Sequence, residues 1–271
     1  MDFLSYDFMQ NALLAGFFAS ILCGVIGPFI VAKRMVFISD GLSHTAFGGL
    51  GIAYWLGINP LCGAISFAMI AAILIGAWEE KKLYRNDLLI GIIWALGMAV
   101  GITFIYITPG FAPDLMNFLF GNILTVSRMN IYLFSILVLI VTASVFTLFR
   151  GFVSITLDEE YAKTRRLPVK ALNIALMILI ALSIVMLIQI VGIILVIALL
   201  TIPVAIGSEL SKHFKNIIFI SIFTGMIICI GGLIISYNIE FPSGPSIILI
   251  GGALLGIVKG FKWISRRRAR S

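Results

Sequence analysis

Charge is scarce in this sequence: 11% of its 271 residues are Asp, Glu, Lys or Arg, against 61% that are hydrophobic. A soluble globular domain carries about 25% charged residues, so that class is excluded and there is no room for a separate soluble domain. The three cysteines, Cys23, Cys62 and Cys229, lie far apart in apolar runs. They read as small packing residues, not as a disulfide or metal framework. The sequence also lacks a Gly-x-x-x-x-Gly-Lys-Ser/Thr phosphate loop, a His-Glu-x-x-His pair, a Gly-x-Ser-x-Gly elbow and a Cys-x-x-Cys motif. If ATP drives this protein, another subunit must bind it, and an intramembrane enzyme has no support. Asp2 and Asp7 precede the first apolar run, with no basic residue among them. A cleavable signal peptide needs a positive start, so the first run is expected to remain as a helix.

What the sequence does have is apolar runs of membrane-spanning length. They fall at roughly 8–31, 35–56, 61–78, 88–108, 131–149, 170–188, 190–209, 216–236 and 244–259. A span needs about 20 apolar residues, so an all-α, polytopic membrane protein with eight or nine crossings is expected, as a single transmembrane domain over 1–271. The net charge of +7 is informative through its placement. Lys33 and Arg34; Lys81, Lys82 and Arg85; Arg150, Lys163, Arg165, Arg166 and Lys170; Lys212 and Lys215; and a tail from Lys259 to Arg270 contain every basic residue except Arg128. These clusters fall at every second junction between spans. A nucleic-acid partner would want a basic soluble face; the positive-inside rule instead makes these junctions cytoplasmic, the N-terminus external and the C-terminus internal. Residues 115–127 are too short to span and suit an interfacial or re-entrant helix after the turn-rich loop 109–113. The 26 glycines lie mostly within spans, as close helix packing requires.

Asp40 and His44 interrupt the second run. An ionisable side chain at membrane depth costs roughly 2.5–3.5 kcal/mol on insertion scales. Four helical residues place both on one face, a turn apart, with Ser43 beside them. A carboxylate, a hydroxyl and an imidazole on one stripe suit zinc and other first-row divalent ions. The competing reading is an Asp–His hydrogen bond that only locks packing.

Residues 150–170 form the longest internal connection. Asp158 is placed to cap a short helix with Glu159 and Glu160 in its first turn and Lys163, Arg165 and Arg166 near its end, in keeping with the helix dipole. Pro168 is expected to stop it. Such a helix is a docking element or an ordinary linker. His213, beside Lys212 and Lys215, reads as a solvent-facing helix-end residue. Asp114 and Glu240 read as solvated acids on external loops, able to pair with a basic partner. Glu209, at an inner helix end, reads as solvated there or as a pathway residue. Trp55, Trp78 and Trp263 sit near span ends, where interfacial anchoring explains them.

Several segments together resemble the permease subunits of bacterial zinc and manganese ABC importers, over nearly the whole chain. The segments are Lys33 to Gly49 with its Asp-x-x-Ser-His core; Asp87 to Gly97; Leu119-Phe-Gly121 with Val126-Ser127; Leu157 to Ala162 with Leu167-Pro168-Val169; Val191 to Pro203; and Pro242 to Pro245. The resemblance implies a type II-like importer permease fold in the bacterial inner membrane. It implies a homodimer, surrounded by lipid, working with two cytoplasmic ATPases and an extracytoplasmic metal-binding protein. No resident cofactor is implied; Zn²⁺, or Mn²⁺ or Fe²⁺, would be the cargo. Asp40, Ser43 and His44 are carried over as metal-path residues, and Asp158, Glu159, Ala162 and Pro168 as ATPase-coupling residues. Two departures stand out. Arg166 occupies the place of a glycine that would end the coupling helix in a left-handed turn, a conformation Arg reaches only at a cost. There is no His-rich stretch for loading metal. Two other readings remain beside this one: a proton-coupled transporter using Asp40 and His44 as a relay, and a scaffold in which the pair only packs.

Overall fold

The computed structural model describes residues 6–78, 86–109 and 123–268. The basic cluster at 81–85, the loop 110–113, Asp114 and the Leu119-Phe-Gly121 segment lie outside the described residues. Among the described residues nine long helices occupy the nine expected apolar runs: α1 (Asp7–Ala32), α2 (Phe37–Trp55), α3 (Pro60–Trp78), α4 (Asn86–Ile107), α5 (Arg128–Thr147), α8 (Val169–Val191), α9 (Ile193–Leu210), α10 (Phe214–Ile239) and α11 (Ser243–Arg268). Two short helices, α6 (Phe149–Leu157) and α7 (Glu159–Thr164), separate α5 from α8, and a 3₁₀ turn covers Ile123–Thr125. Eight of the nine long helices are apolar enough to cross a membrane by length and composition; α2 is the exception. Asp40, His44, two serines and four glycines lower its hydropathy, yet most of its residues are buried.

The helix ends follow from local chemistry. Pro60 opens α3 at the position where a missing N–H costs nothing, and the Asn59 side chain accepts the Leu61 N–H at 2.9 Å. Between α8 and α9 the chain turns at Gly192, with φ 79° and ψ 161°, a conformation open essentially to glycine alone. The expected break near Gln189 is therefore displaced to Gly192, because Gln189 to Val191 continue the helix. The first half of the 150–170 connection is helical as well: α6 carries the chain to Leu157.

The end of α7 corrects an expectation. Pro168 does not stop this helix; Arg166 does, in the left-handed conformation at φ 56°. The Leu167 N–H reaches the Ala162 carbonyl at 3.2 Å and the Arg166 N–H reaches the Lys163 carbonyl at 2.9 Å. These are the paired bonds of a Schellman cap. Arg34 ends α1 in the same way, at φ 57°, with Met35 N–H on Ile30 O and Arg34 N–H on Val31 O. A glycine, Gly57, fills the equivalent position after α2.

The chain forms two compact units. One comprises residues 1–28, 120–139 and 190–271. In it α9, α10 and α11 pack pairwise, Phe18 meets Phe134 edge to face, and Ser20 donates to the Gly16 carbonyl at 2.7 Å. Arg128 pairs with Asp7 at 2.8 Å on the surface, and Lys262 pairs with Glu209 at 3.1 Å while also donating to the Glu209 carbonyl. The other unit comprises residues 29–119 and 140–189. There α2 lies against α3 and α4. A Cβ on Gly48 would stand 2.7 Å from the Gly97 carbonyl oxygen, and one on Gly97 would stand 2.6 Å from Thr45 Cα. The backbones of α2 and α4 thus approach as closely as small residues permit. Thr45 Oγ1 donates to the Gly41 carbonyl at 2.7 Å.

Candidate functional site

Asp40 and His44 meet as the helical spacing requires: His44 Nε2 lies 3.3 Å from Asp40 Oδ1. Both are largely but not fully enclosed, with side chains 22% and 14% exposed. Two residues of α4 complete the setting. His44 Nδ1 lies 3.2 Å from Met98 Sδ, and the imidazole stacks on the Trp94 indole, with centroids 4.9 Å apart and planes 13° off parallel. The ring is thus fixed in its plane by the indole and along its edge by the carboxylate and the thioether. Carboxylate and thioether offer only acceptor atoms. The constellation is rich in lone pairs and poor in protons to share, which suits a passing cation. Oxygen, nitrogen and sulfur donors together fit a first-row transition ion better than Mg²⁺ or Ca²⁺. Among the described residues no three His, Cys, Asp or Glu side chains gather around a common point; the third donor beside this pair is Met98.

Ser43, the third member of the expected stripe, is fully buried. Its hydroxyl donates to the Ser39 carbonyl, so the structure gathers Asp40 and His44 with Met98 and commits Ser43's proton to its own helix. Sequence reasoning missed Met98 and Trp94. A methionine or an aromatic residue in an apolar span reads as filler. The available signal was their spacing of four, which puts both on one face of α4.

The residues expected to couple to an ATPase divide by orientation. Asp158 caps α7, accepting the Tyr161 N–H at 2.9 Å. Asp158 and Pro168 are exposed. Ala162 is fully buried and seats the helix from beneath. The Glu159 carboxylate turns toward α8 and accepts from Asn173 Nδ2 at 3.1 Å. The outer surface of α7 is made by Glu160, Tyr161, Lys163, Thr164 and Arg165, with Arg165 Nε on the Tyr161 hydroxyl at 3.0 Å. His213 and Glu240 are exposed. Trp55 packs edge to face with Phe104, and the Arg267 guanidinium lies 3.7 Å above the Trp263 ring.

A family model described as "ABC 3 transport family" matches residues 5–260. A probable metal transport system membrane protein of Chlamydia trachomatis is 39% identical over 249 residues, spanning 89% of this chain and 85% of its own length. The manganese transport system membrane protein MntC of Halalkalibacterium halodurans is 33% identical over 254 residues, spanning 94% and 87%. Among solved structures, PsaBC from Streptococcus pneumoniae in complex with Fab is similar with a TM-score of 0.83 and 30% identity, covering 95% of this chain and 92% of that one.

Proposed function

Because this chain belongs to the ABC 3 transport family, we propose that it forms the path through which an ATP-driven importer carries a divalent transition metal, with Asp40 and His44 as transient ligands. It is a multi-pass transport subunit of a metal ABC transporter in the bacterial inner membrane, with no catalytic activity of its own; ATP hydrolysis lies in separate subunits. Its partners on this reading are cytoplasmic ATPases bound at α7, an extracytoplasmic metal-binding protein and a second copy of this chain. The observation that carries the reading is the Asp40–His44 pair at 3.3 Å with Met98 Sδ on the far side of the ring.

Two donors and a thioether make a weak site. That is an advantage for a carrier, because an ion must leave as readily as it enters. ATP-driven movement of the partner subunits would displace α7 and expose the path alternately to either side. The sequence points first to zinc and a relative's name to manganese; Asp and His ligate either ion, so the metal is decided by uptake. Proteoliposomes holding this chain with its ATPase and binding protein are expected to take up Zn²⁺ or Mn²⁺ only with ATP. His44→Ala is expected to lower that uptake by at least about tenfold, the scale of a lost metal-site ligand or its support, with ATP hydrolysis retained. Uptake driven by a proton gradient without ATP would replace this reading with a secondary transporter. Full uptake by a folded His44→Ala protein would reduce the pair to packing.

A further inference from the structure

Asn173, in the second turn of α8, is 1% exposed, and its side chain bridges two charges. Its Oδ1 accepts from Lys33 Nζ at 3.1 Å and its Nδ2 donates to Glu159 Oε1 at 3.1 Å. A neutral amide is suited to this place: it presents an acceptor to the ammonium and a donor to the carboxylate, and the two charges fix which way it faces. All three residues belong to the unit that also carries α2. Glue of this kind matters most for α7. A six-residue helix is far too short to hold its shape or place alone, so its position is set by what it is fastened to. Its fastenings include the buried Ala162 and the Glu159–Asn173 bond. At the other end, Lys33 directly precedes Arg34, whose left-handed cap turns the chain into α2. A continuous series of polar contacts therefore runs from α7, through Asn173, to the corner where the helix bearing Asp40 and His44 begins.

We propose that Asn173 is a positioning residue for transport: it fastens the ATPase-facing helix α7 to the α1–α2 corner, so that displacement of α7 is passed to α2. This rests on the permease reading above. A buried polar chain weakens when any member loses its partner, and the substitutions below break or restore its bonds.

The test is metal uptake and ATP hydrolysis measured together, in proteoliposomes holding the assembled transporter. Asn173→Leu removes both bonds, and Asn173→Asp sets a second carboxylate against Glu159. In each, uptake per ATP hydrolysed is expected to fall roughly tenfold, the scale of a lost coupling interaction, while ATPase binding and hydrolysis persist. Combining Asn173→Asp with Glu159→Gln reverses the lower bond: the new amide donates to the new carboxylate, which still accepts from Lys33, and the net charge of the trio is unchanged. This pair is expected to recover most of the wild-type ratio. A merely structural role would change thermal stability or assembly but not the number of ions moved per ATP. The proposal is overturned if the single variants keep the wild-type ratio, or if the double variant is as uncoupled as Asn173→Asp alone. A wild-type assembly that shows no ATP-driven uptake overturns the permease reading, and the proposal with it; variants that match a working wild type overturn the proposal alone.

Discussion

His44 is held from three directions, and each hold has a different chemistry. Asp40 supplies charge at 3.3 Å, Trp94 supplies a flat surface and Met98 supplies a polarisable edge. Met98→Leu tests the thioether by itself, since the two side chains are nearly equal in volume and the exchange costs little in packing. Uptake is expected to fall by about two- to fivefold, less than for His44→Ala, as befits loss of a contact worth roughly 0.3–1.5 kcal/mol. Initial rates against metal concentration measure it, and an unchanged rate would make Met98 a spectator. At this scale the charged half of the candidate cluster was legible and the neutral half was not. A carboxylate and an imidazole in an apolar run announce themselves by their desolvation cost, whereas Met98 and Trp94 cost nothing to bury and match the composition around them. The Ser43 hydroxyl donates to the Ser39 carbonyl, and a serine's bond to the carbonyl four residues back is invisible in the sequence.

The helices were legible as apolar runs, and their ends were legible where a side chain does the capping. Asp158 caps α7 as its position in the sequence implied, and Asp158→Ala is expected to lower stability by about 1 kcal/mol. Ends made by backbone geometry are not legible in the side chains that make them. Arg34, Arg166 and Glu240 all take positive φ, and nothing in an Arg or Glu side chain signals it; at Arg166 alone the family resemblance marked the place, where a glycine would end the helix in a left-handed turn. Arg166→Gly should relieve a left-handed residue that costs roughly 1–2 kcal/mol. It is expected to raise the protection of the amides at positions 166 and 167 in hydrogen exchange, and a fall in protection would mean that the Arg side chain itself secures the turn. Gly192 shows the opposite failing. One glycine among 26 is not conspicuous, while the apolar pattern continues unbroken to Val191, so the junction was placed three residues early.

Across the whole molecule the alternation of basic clusters assigns each junction to a side of the membrane. The Leu56–Asn59 turn is external on this assignment and α7 is cytoplasmic. With Cys62→Ser as background, an impermeant maleimide is expected to label Ile58→Cys in intact cells and Thr164→Cys only after the membrane is opened. Ile58 is 53% exposed and Thr164 is exposed, so accessibility is not limiting, and labelling on the opposite sides would invert the topology. The order of the long helices and a count of eight or nine crossings followed from composition, and eight of the described helices are apolar enough to span, but the composition of α2 conceals a difficulty that its packing resolves. Among the nine long described helices α2 alone falls short of spanning hydropathy, and its glycines fit it against Gly63 of α3 and Gly97 and Gly101 of α4. A segment this polar gains little by entering lipid as it leaves the ribosome. The partners that shelter it are synthesised after it. Biogenesis must therefore hold α2 at the insertion machinery until α3 and α4 emerge, so a nascent chain arrested before α4 should fail to integrate this segment and one arrested after α4 should succeed.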